Sequence, residues 1–475
     1  MPVRGAQAHA GAMSTPRTYG HAVVIGAGMG GLAAAAAVAH HAGRVTILER
    51  DDLPSSPSAR AGVPQARHAH ALQPGGLAAL ERLVPGMQAT LVAAGGTPVD
   101  LPGDLAWLSA AGWMRPFPSE GRTLVSASRD LIEWTTRQLV LALPDVTVRS
   151  SVEVAGLAVD AGRIVGVDVR PRGAAPDEPV ERVSANLVVD ASGRRSHAPD
   201  WLAAAGYDRP AETRVDADLA YATRTYRRAG TELLPGYRAL FMQAQPPRTT
   251  RMGVMVPIEG DRWLLTVAGT NGDLPPTDED GFREFIRGMR SPLLADLVEE
   301  LEPLSAIVGY RRTANMRRHY EKLSLLPEGF VVLGDATCTF NPVYGQGMSA
   351  AALSAEALGR TLADRAGTHA AQQAIAQACA GAWTVATGED LRYPGTTGGS
   401  SSVADRVVRR YFDRLVRAAA TDEAVNSAFA DVIGMLAPPE SLMRPGLAAR
   451  VLGRRHPTPS LDIPLPARRS NAVAA

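Results

Sequence analysis

Residues 21–50 constrain the chain more than any other stretch. HAVVIG is a short apolar run, GAGMGG follows it, LAAAAAVAHHAG is an alanine-rich helical stretch ending at Gly43, and RVTILER is a second apolar run. Alanine and leucine favour the helix, and a glycine suits its C-terminal end. Strand, helix and strand within some 30 residues demand a parallel pair with a right-handed crossover. Gly26, Gly28 and Gly31 form G-x-G-x-x-G directly between strand and helix. Gly26 permits the tight turn, Gly28 lets the backbone approach a pyrophosphate, and Gly31 lets helix and strand pack closely. The helix N-terminus adds unpaired amides and a positive dipole end. Glu49 ends the second strand, followed by Arg50. A carboxylate there accepts both hydroxyls of an adenosine ribose and repels a 2′-phosphate, so the site suits FAD or NAD rather than NADP.

Composition removes several classes of function. The 475 residues include 49 Lys and Arg against 48 Asp and Glu, a net charge of +1, without the positive excess of a nucleic-acid binder. Cys338 and Cys379 are the only cysteines, so no disulfide framework and no Cys/His metal cluster is expected. No apolar run reaches the ~18 residues of a spanning helix, and no signal-peptide pattern opens the chain. A cytoplasmic location is the default expectation.

The pattern predicts a long loop over 51–66 and a helix from about Pro74 to Leu83. It predicts a helix from Ser128 to Leu143, with Ser128 as its cap and Asp130 in its first turn. Alternation over 105–125, 146–170 and 215–270 points to antiparallel strands, with a hairpin around Gly260 and Asp261. ANLVVDASG (185–193) and GFVVLGDA (329–336) read as buried strands entering turns. Residues 278–302 and 347–364 read as helices, and GTTGGSSS (395–402) as a linker. Over 403–418, Val403, Val407, Val408, Tyr411, Phe412, Leu415 and Val416 share one helical face, which calls for burial against a core. A membrane surface or a carrier-bearing partner is the weaker reading of that basic helix.

A second constellation separates FAD from NAD. GDATCTFNPVYGQGMSAA spans 334–351. Asp335, Pro342, Gly345 and Gly347 match the second flavin fingerprint of the FAD-dependent aromatic-hydroxylase-like (group A) monooxygenases, which the chain resembles. The resemblance implies that Asp335 binds the ribitol chain and that the backbone around Gly345–Met348 faces the pyrimidine end of the flavin. A helix N-terminus at Gly347 would stabilise negative charge on reduced flavin. Ser128–Arg129 resembles the family's S-R-x-x-L element, whose arginine contacts the FAD phosphates or adenosine side. VVDASGRRS (188–196) stands where the family carries A-D-G-x-x-S. Ala191, Gly193 and Ser196 match, but Ser192 replaces the aspartate. That departure leaves open whether electrons come from NAD(P)H directly or through a separate flavin reductase.

GVPQARHAHALQPGGLAALERLVPG (62–86) resembles a bacterial subgroup close to squalene epoxidases, such as polyene epoxidases of polyether-ionophore biosynthesis. The likeness extends to YATR (221–224), VPIEGDRWLLTVAGT (256–270) and FNPVYGQGMSAAA, and covers roughly residues 20–390. It places Arg67, His68 and His70 near the flavin, and His68 is the one candidate catalytic side chain. The implied chemistry is insertion of one oxygen atom from O2 through a flavin C4a-hydroperoxide. Epoxidation of C=C bonds in a lipophilic polyketide or isoprenoid-like substrate of secondary metabolism is the leading expectation. An aromatic hydroxylase, a prenyl reductase of the geranylgeranyl-reductase type and a non-catalytic flavin subunit are the alternatives. A flavin halogenase would carry W-x-W-x-I-P, which is absent.

The expected fold is α/β, a Rossmann-like FAD-binding domain interleaved with an antiparallel-sheet substrate domain, plus C-terminal helices. Residues 20–96, 119–206 and 311–365 would form the first, 97–118 and 207–310 the second, and 366–455 the helical region. Residues 1–19 and 456–475 read as flexible tails. Trp107, Trp113, Tyr221, Phe241, Met255 and Trp263 are the candidate substrate contacts.

Overall fold

The computed structural model describes residues 18–464, except 118–120, 176, 229, 231–233, 312, 400–402, 458 and 461. The βαβ opening builds the centre of a five-stranded parallel sheet. Its order is Phe330–Val332, Leu187–Asp190, Ala22–Ile25, Val45–Leu48 and Val146–Arg149. Residues 146–149 were expected in an antiparallel pair. They lie parallel to Val45–Leu48 because the helix Arg129–Leu141 carries the chain back to the starting end of the sheet. Both faces of the sheet are covered, so its strands are mostly apolar except for the edge strand Val146–Arg149, which alternates and is partly exposed. Helices Met29–Ala39, Arg129–Leu141 and Gly347–Ala363 pack on one face. The antiparallel strands Val152–Asp160, Arg163–Pro171 and Glu181–Ser184 and the helix Ala198–Ala204 cover the other.

A seven-stranded sheet forms the second layer. Its order is Val308–Tyr310, Ala220–Arg227, Arg262–Gly269, Met252–Ile258, Ala239–Met242, Leu105–Ser109 and Gly112–Trp113. It is antiparallel except where Ala239–Met242 runs parallel to Leu105–Ser109. The hairpin turns at Gly260 and Asp261, both with positive φ. The helix expected over 278–302 is two helices, Glu279–Arg287 and Leu293–Glu300, because Gly288 and Pro292 interrupt it. Both pack on one face of this sheet.

The helices Val403–Ala419, Glu423–Ile433 and Pro445–Gly453 share a core with Trp107 and Met114. The apolar face read over 403–418 is only partly covered. Leu415 is fully buried, but Val407 is 60% exposed and Val408 39%. Two segments read from composition as irregular make ordered contacts where they are described. Thr397 in the supposed linker bridges Asp216, and a Cβ on Gly398 would meet the Arg214 carbonyl at 2.0 Å. The supposed C-terminal tail docks on the second sheet through Ile463, and Tyr237 Oη donates to the Pro464 carbonyl. Residues 1–17 of the expected N-terminal tail, 400–402 of the linker, and 458, 461 and 465–475 of the C-terminal segment lie outside the described residues. Among the described residues no helix is long and apolar enough to cross a membrane.

Candidate functional site

The parallel sheet delivers the first motif to the C-terminal ends of its strands, where α/β sheets bind ligands. The three glycines have separate structural causes. Gly26 has φ +99°, and a Cβ there would lie 2.7 Å from the Ala191 carbonyl oxygen. A Cβ on Gly31 would lie 1.7 Å from the Gly26 carbonyl oxygen. Gly28 has an ordinary φ of −75°, and its missing Cβ would meet nothing nearer than an Arg60 nitrogen at 3.7 Å. It leaves open approach to the first turn of Met29–Ala39, which no side chain caps. That is the cradle a pyrophosphate needs.

Glu49 is buried beside the cradle. Its Oε2 accepts the Ala27 amide at 2.7 Å and its Oε1 the Asp51 amide at 2.9 Å. Each oxygen keeps a lone pair for a ribose hydroxyl. Arg60 lies 3.4 Å from Glu49, donates to Asp51 at 3.1 Å and to Glu133 at 2.7 Å. Arg129 pairs with the other Glu133 oxygen at 2.8 Å. Burial alone would lift the Glu133 carboxyl, but Arg129 and Arg60 outweigh it and hold it below the usual range. Asp51, Arg60 and Glu133 carried no sequence signal, since Arg60 sits in a loop read only by composition. Arg50 and Arg67, read as cofactor contacts, are exposed.

The second motif arrives at the same crevice. Asp335 lies in a short turn, Gly334–Ala336, where burial lifts its carboxyl and Arg194 and Arg129 counteract. A Cβ on Gly347 would stand 3.9 Å from Asp335 Oδ1, so the two parts of the motif adjoin. Pro342–Tyr344 makes a 3-10 turn, and Gly345 follows at φ +62°, with a Cβ there only 3.1 Å from that of Ala71. The helix Gly347–Ala363 begins without a side-chain cap and without an acidic residue in its first turn. Met348 is buried at that end. The Gln73 amide donates to Ser349 Oγ at 2.8 Å, tying the 68–73 loop to this helix. The residues present therefore fit a dinucleotide that runs from Gly28 to Gly347.

A cavity of about 940 Å3 opens from Pro342, Val343, Tyr344 and Gly345 between the second sheet and the C-terminal helices. Strand alternation assigns its lining. Leu105, Trp107, Tyr221, Ala239, Phe241, Met252, Val254, Val256, Thr266 and Ala268 face it. Of the six candidate substrate contacts, Trp107, Tyr221 and Phe241 are therefore brought together. Trp113, Met255 and Trp263 are not. They point to the opposite face and pack in the core under Glu279–Arg287 and Leu293–Glu300. Val408, Phe412 and Val416 line the far wall, which accounts for the partial exposure of Val408 but not for that of Val407, which lies outside the lining.

His68 enters the cavity wall from the loop. Its Nδ1 lies 2.7 Å from Thr223 Oγ1, which lies 2.6 Å from Thr266 Oγ1, which accepts the Ala69 amide at 2.9 Å. The ring meets Tyr221 edge-on at 4.4 Å. Burial, with His70 and Arg67 nearby, pushes the His68 pKa down to about 3. The ring is thus neutral at ordinary pH, and its buried Nε2 has no protein partner. His70 is lowered to about 4 by burial and Arg129, and it bonds the His68 carbonyl at 2.8 Å.

Protein Rv3254 of Mycobacterium tuberculosis is 35% identical to the chain over 350 residues, 73% of either protein. The chain belongs to the family of that protein. Residues 24–76 match the model of the NAD(P)-binding Rossmann-like domain. The solved flavin-dependent brominase Bmp2 superposes with a TM-score of 0.63 at 14% identity, covering 91% of this chain and 98% of the brominase. The p-nitrophenol 4-monooxygenase PnpA of Pseudomonas putida DLL-E4 gives 0.57 at 17% identity, covering 88% and 99%. This member of the Rv3254 family thus has the fold shared by FAD-dependent monooxygenases and halogenases, with a Rossmann-like dinucleotide domain.

Proposed function

We propose that this Rv3254-family protein is an FAD-dependent monooxygenase that epoxidises C=C bonds of a lipophilic substrate. The observation that carries the reading is the continuity of the two sites. The turn 342–345, where the flavin ring is expected, is also an end wall of the apolar cavity. Bound FAD, once reduced, would supply the oxygen-activating chemistry. Gly26, Gly28 and Gly31 leave the amides to bind its phosphates, and Glu49 would take the ribose. Arg129 and Asp335 would bind the phosphates and the ribitol chain, and Gly345, Gly347 and Met348 would flank the ring. Trp107, Tyr221 and Phe241 would hold the apolar substrate and exclude water.

His68 argues between epoxidation and aromatic hydroxylation. A phenol needs a base to take its proton, and phenols have pKa values near 10. A histidine held at about 3 is a poor acceptor for that proton. An alkene needs no base, so His68 suits epoxidation; Glu389, Asp405 and Asp413 are the carboxylates on the cavity wall. Electrons would come from NAD(P)H or a separate flavin reductase, and Ser192 in place of the family's aspartate favours the latter.

The test is aerobic turnover of FAD-loaded, reduced protein with a long-chain polyene or a phenol, read by product mass. A polyene that gains one oxygen and hydrolyses to a diol supports the proposal. A gain of two hydrogens would make the protein a reductase, and oxygen gain by the phenol alone a hydroxylase. Protein that is colourless and refuses added FAD sinks the assignment altogether.

A further inference from the structure

Asp390 ends the helix Gly367–Asp390, far in sequence from both dinucleotide motifs. It is 2% exposed. Its Oδ2 accepts Asn315 Nδ2 at 2.6 Å and Asn341 Nδ2 at 3.1 Å. Its Oδ1 accepts Asn341 Nδ2 at 3.2 Å and Tyr344 Oη at 2.7 Å. Three neutral donors thus converge on one carboxylate, which is the acceptor-only group such a site requires. The same residues order the backbone next to them. The Asn341 amide donates to Asn315 Oδ1 at 2.7 Å, and Asn341 Oδ1 accepts the Val343 amide at 3.4 Å. The turn Pro342–Tyr344 is therefore gripped at both ends from Asp390, immediately before left-handed Gly345 and the helix start at Gly347.

Burial lifts the Asp390 carboxyl, while the donors Tyr344, Asn341 and Asn315 favour its charged form, and a buried charge is a poor way to gain stability, since apolar replacements of such networks are often neutral or better. Its strength is fixing one geometry. We propose that Asp390 is a positioning residue of the flavin site, holding the 341–345 turn so that its backbone and the Gly347 helix end present correctly to the isoalloxazine ring. The proposal rests on the FAD reading above. Asp390 acts through Asn341 and Tyr344.

The test uses FAD-loaded full-length protein. Asp390→Asn keeps the volume but removes the charge and turns a nitrogen toward donors. The variant is expected to bind FAD about tenfold more weakly. Its oxidised-flavin absorption bands should shift, and its two-electron midpoint potential should move positive, because a negative charge near the ring disfavours added electrons. Tyr344→Phe keeps the charge but strips a donor that disperses it, so it should shift the bands by less and move the potential slightly negative. The double variant should match Asp390→Asn alone, as members of one network do. If Asp390→Asn does not fold, Tyr344→Phe decides, and an unchanged spectrum and potential overturns the proposal. Strictly additive effects overturn it too. Wild-type protein that takes up no FAD overturns the cofactor reading together with this inference. Flavin bound by the wild type but indifferent to both substitutions overturns this inference alone.

Discussion

Gly28→Ala and Gly31→Ala separate a ligand cradle from a packing constraint inside one motif. At Gly28 the backbone is extended, with φ −75° and ψ 179°, which alanine adopts freely. The added methyl meets only an Arg60 nitrogen at 3.7 Å, an ordinary contact. Alanine for glycine at a helix N-cap costs about 0.5–1 kcal/mol, and the less flexible unfolded chain returns a similar ~0.4–1 kcal/mol. The FAD-free protein should therefore keep its stability. The same methyl occupies the approach to the first-turn amides. Losing one amide-to-phosphate hydrogen bond of about 1.5–3 kcal/mol weakens binding roughly 10- to 150-fold. At Gly31 the methyl would stand 1.7 Å from the Gly26 carbonyl oxygen, so strand end and helix must separate by more than an ångström. A backbone clash of that kind should cost ~3 kcal/mol or more before any ligand is added. Scanning calorimetry of FAD-stripped protein measures the first quantity, and quenching of tryptophan fluorescence by added FAD the second. The reasoning fails if Gly28→Ala binds FAD within about threefold of wild type, or if both variants melt alike without FAD.

Three further outcomes are expected. Asp335→Ala should lose FAD on gel filtration without destabilising the apoprotein, since burial already disfavours the charged carboxyl; an unchanged ratio of flavin to protein absorbance would contradict its role. His68 is lowered to about 3 when folded, against 6.5 when unfolded. The unfolded state then binds more protons between those values, so this contribution to stability is full above pH 6.5 and is lost as pH falls toward 3. Urea midpoints measured from pH 8 to pH 5 should therefore decline less for His68→Gln than for wild type, and parallel declines would refute the assignment. Removing residues 456–475 strips Ile463 and the Pro464 carbonyl from the second sheet. The loss should be at least about 2 kcal/mol, from Ile463, the buried Pro459 and the hydrogen bonds to the Ser460 and Pro464 carbonyls, with flavin absorbance retained; an unaltered melting temperature would restore the reading of that segment as a tail.

Much of the candidate crevice was legible because its parts are local. A glycine turn between a strand and a helix carries its constraints within a few residues, and Asp335 to Gly347 is a second such stretch. The cavity face was half legible. Alternation along a strand shows that two faces differ, but here both faces are apolar, one in a core and one on a cavity, so residue type could not rank them. That is why Trp107, Tyr221 and Phe241 were grouped with Trp113, Met255 and Trp263, which point the other way.

By itself the sequence marked out two glycine-rich turns that open helices, and the strands and helices that frame them, since short-range sterics and hydrogen-bond geometry dictate those. Tertiary structure alone decided which partners meet across long separations. Arg60 reaches Glu133 across 73 residues, and Asn315 reaches Asp390 across 75. Such pairs have no spacing rule, because their contact depends on how whole layers pack. A buried charge is affordable only where that packing brings it its opposite charges or its donors.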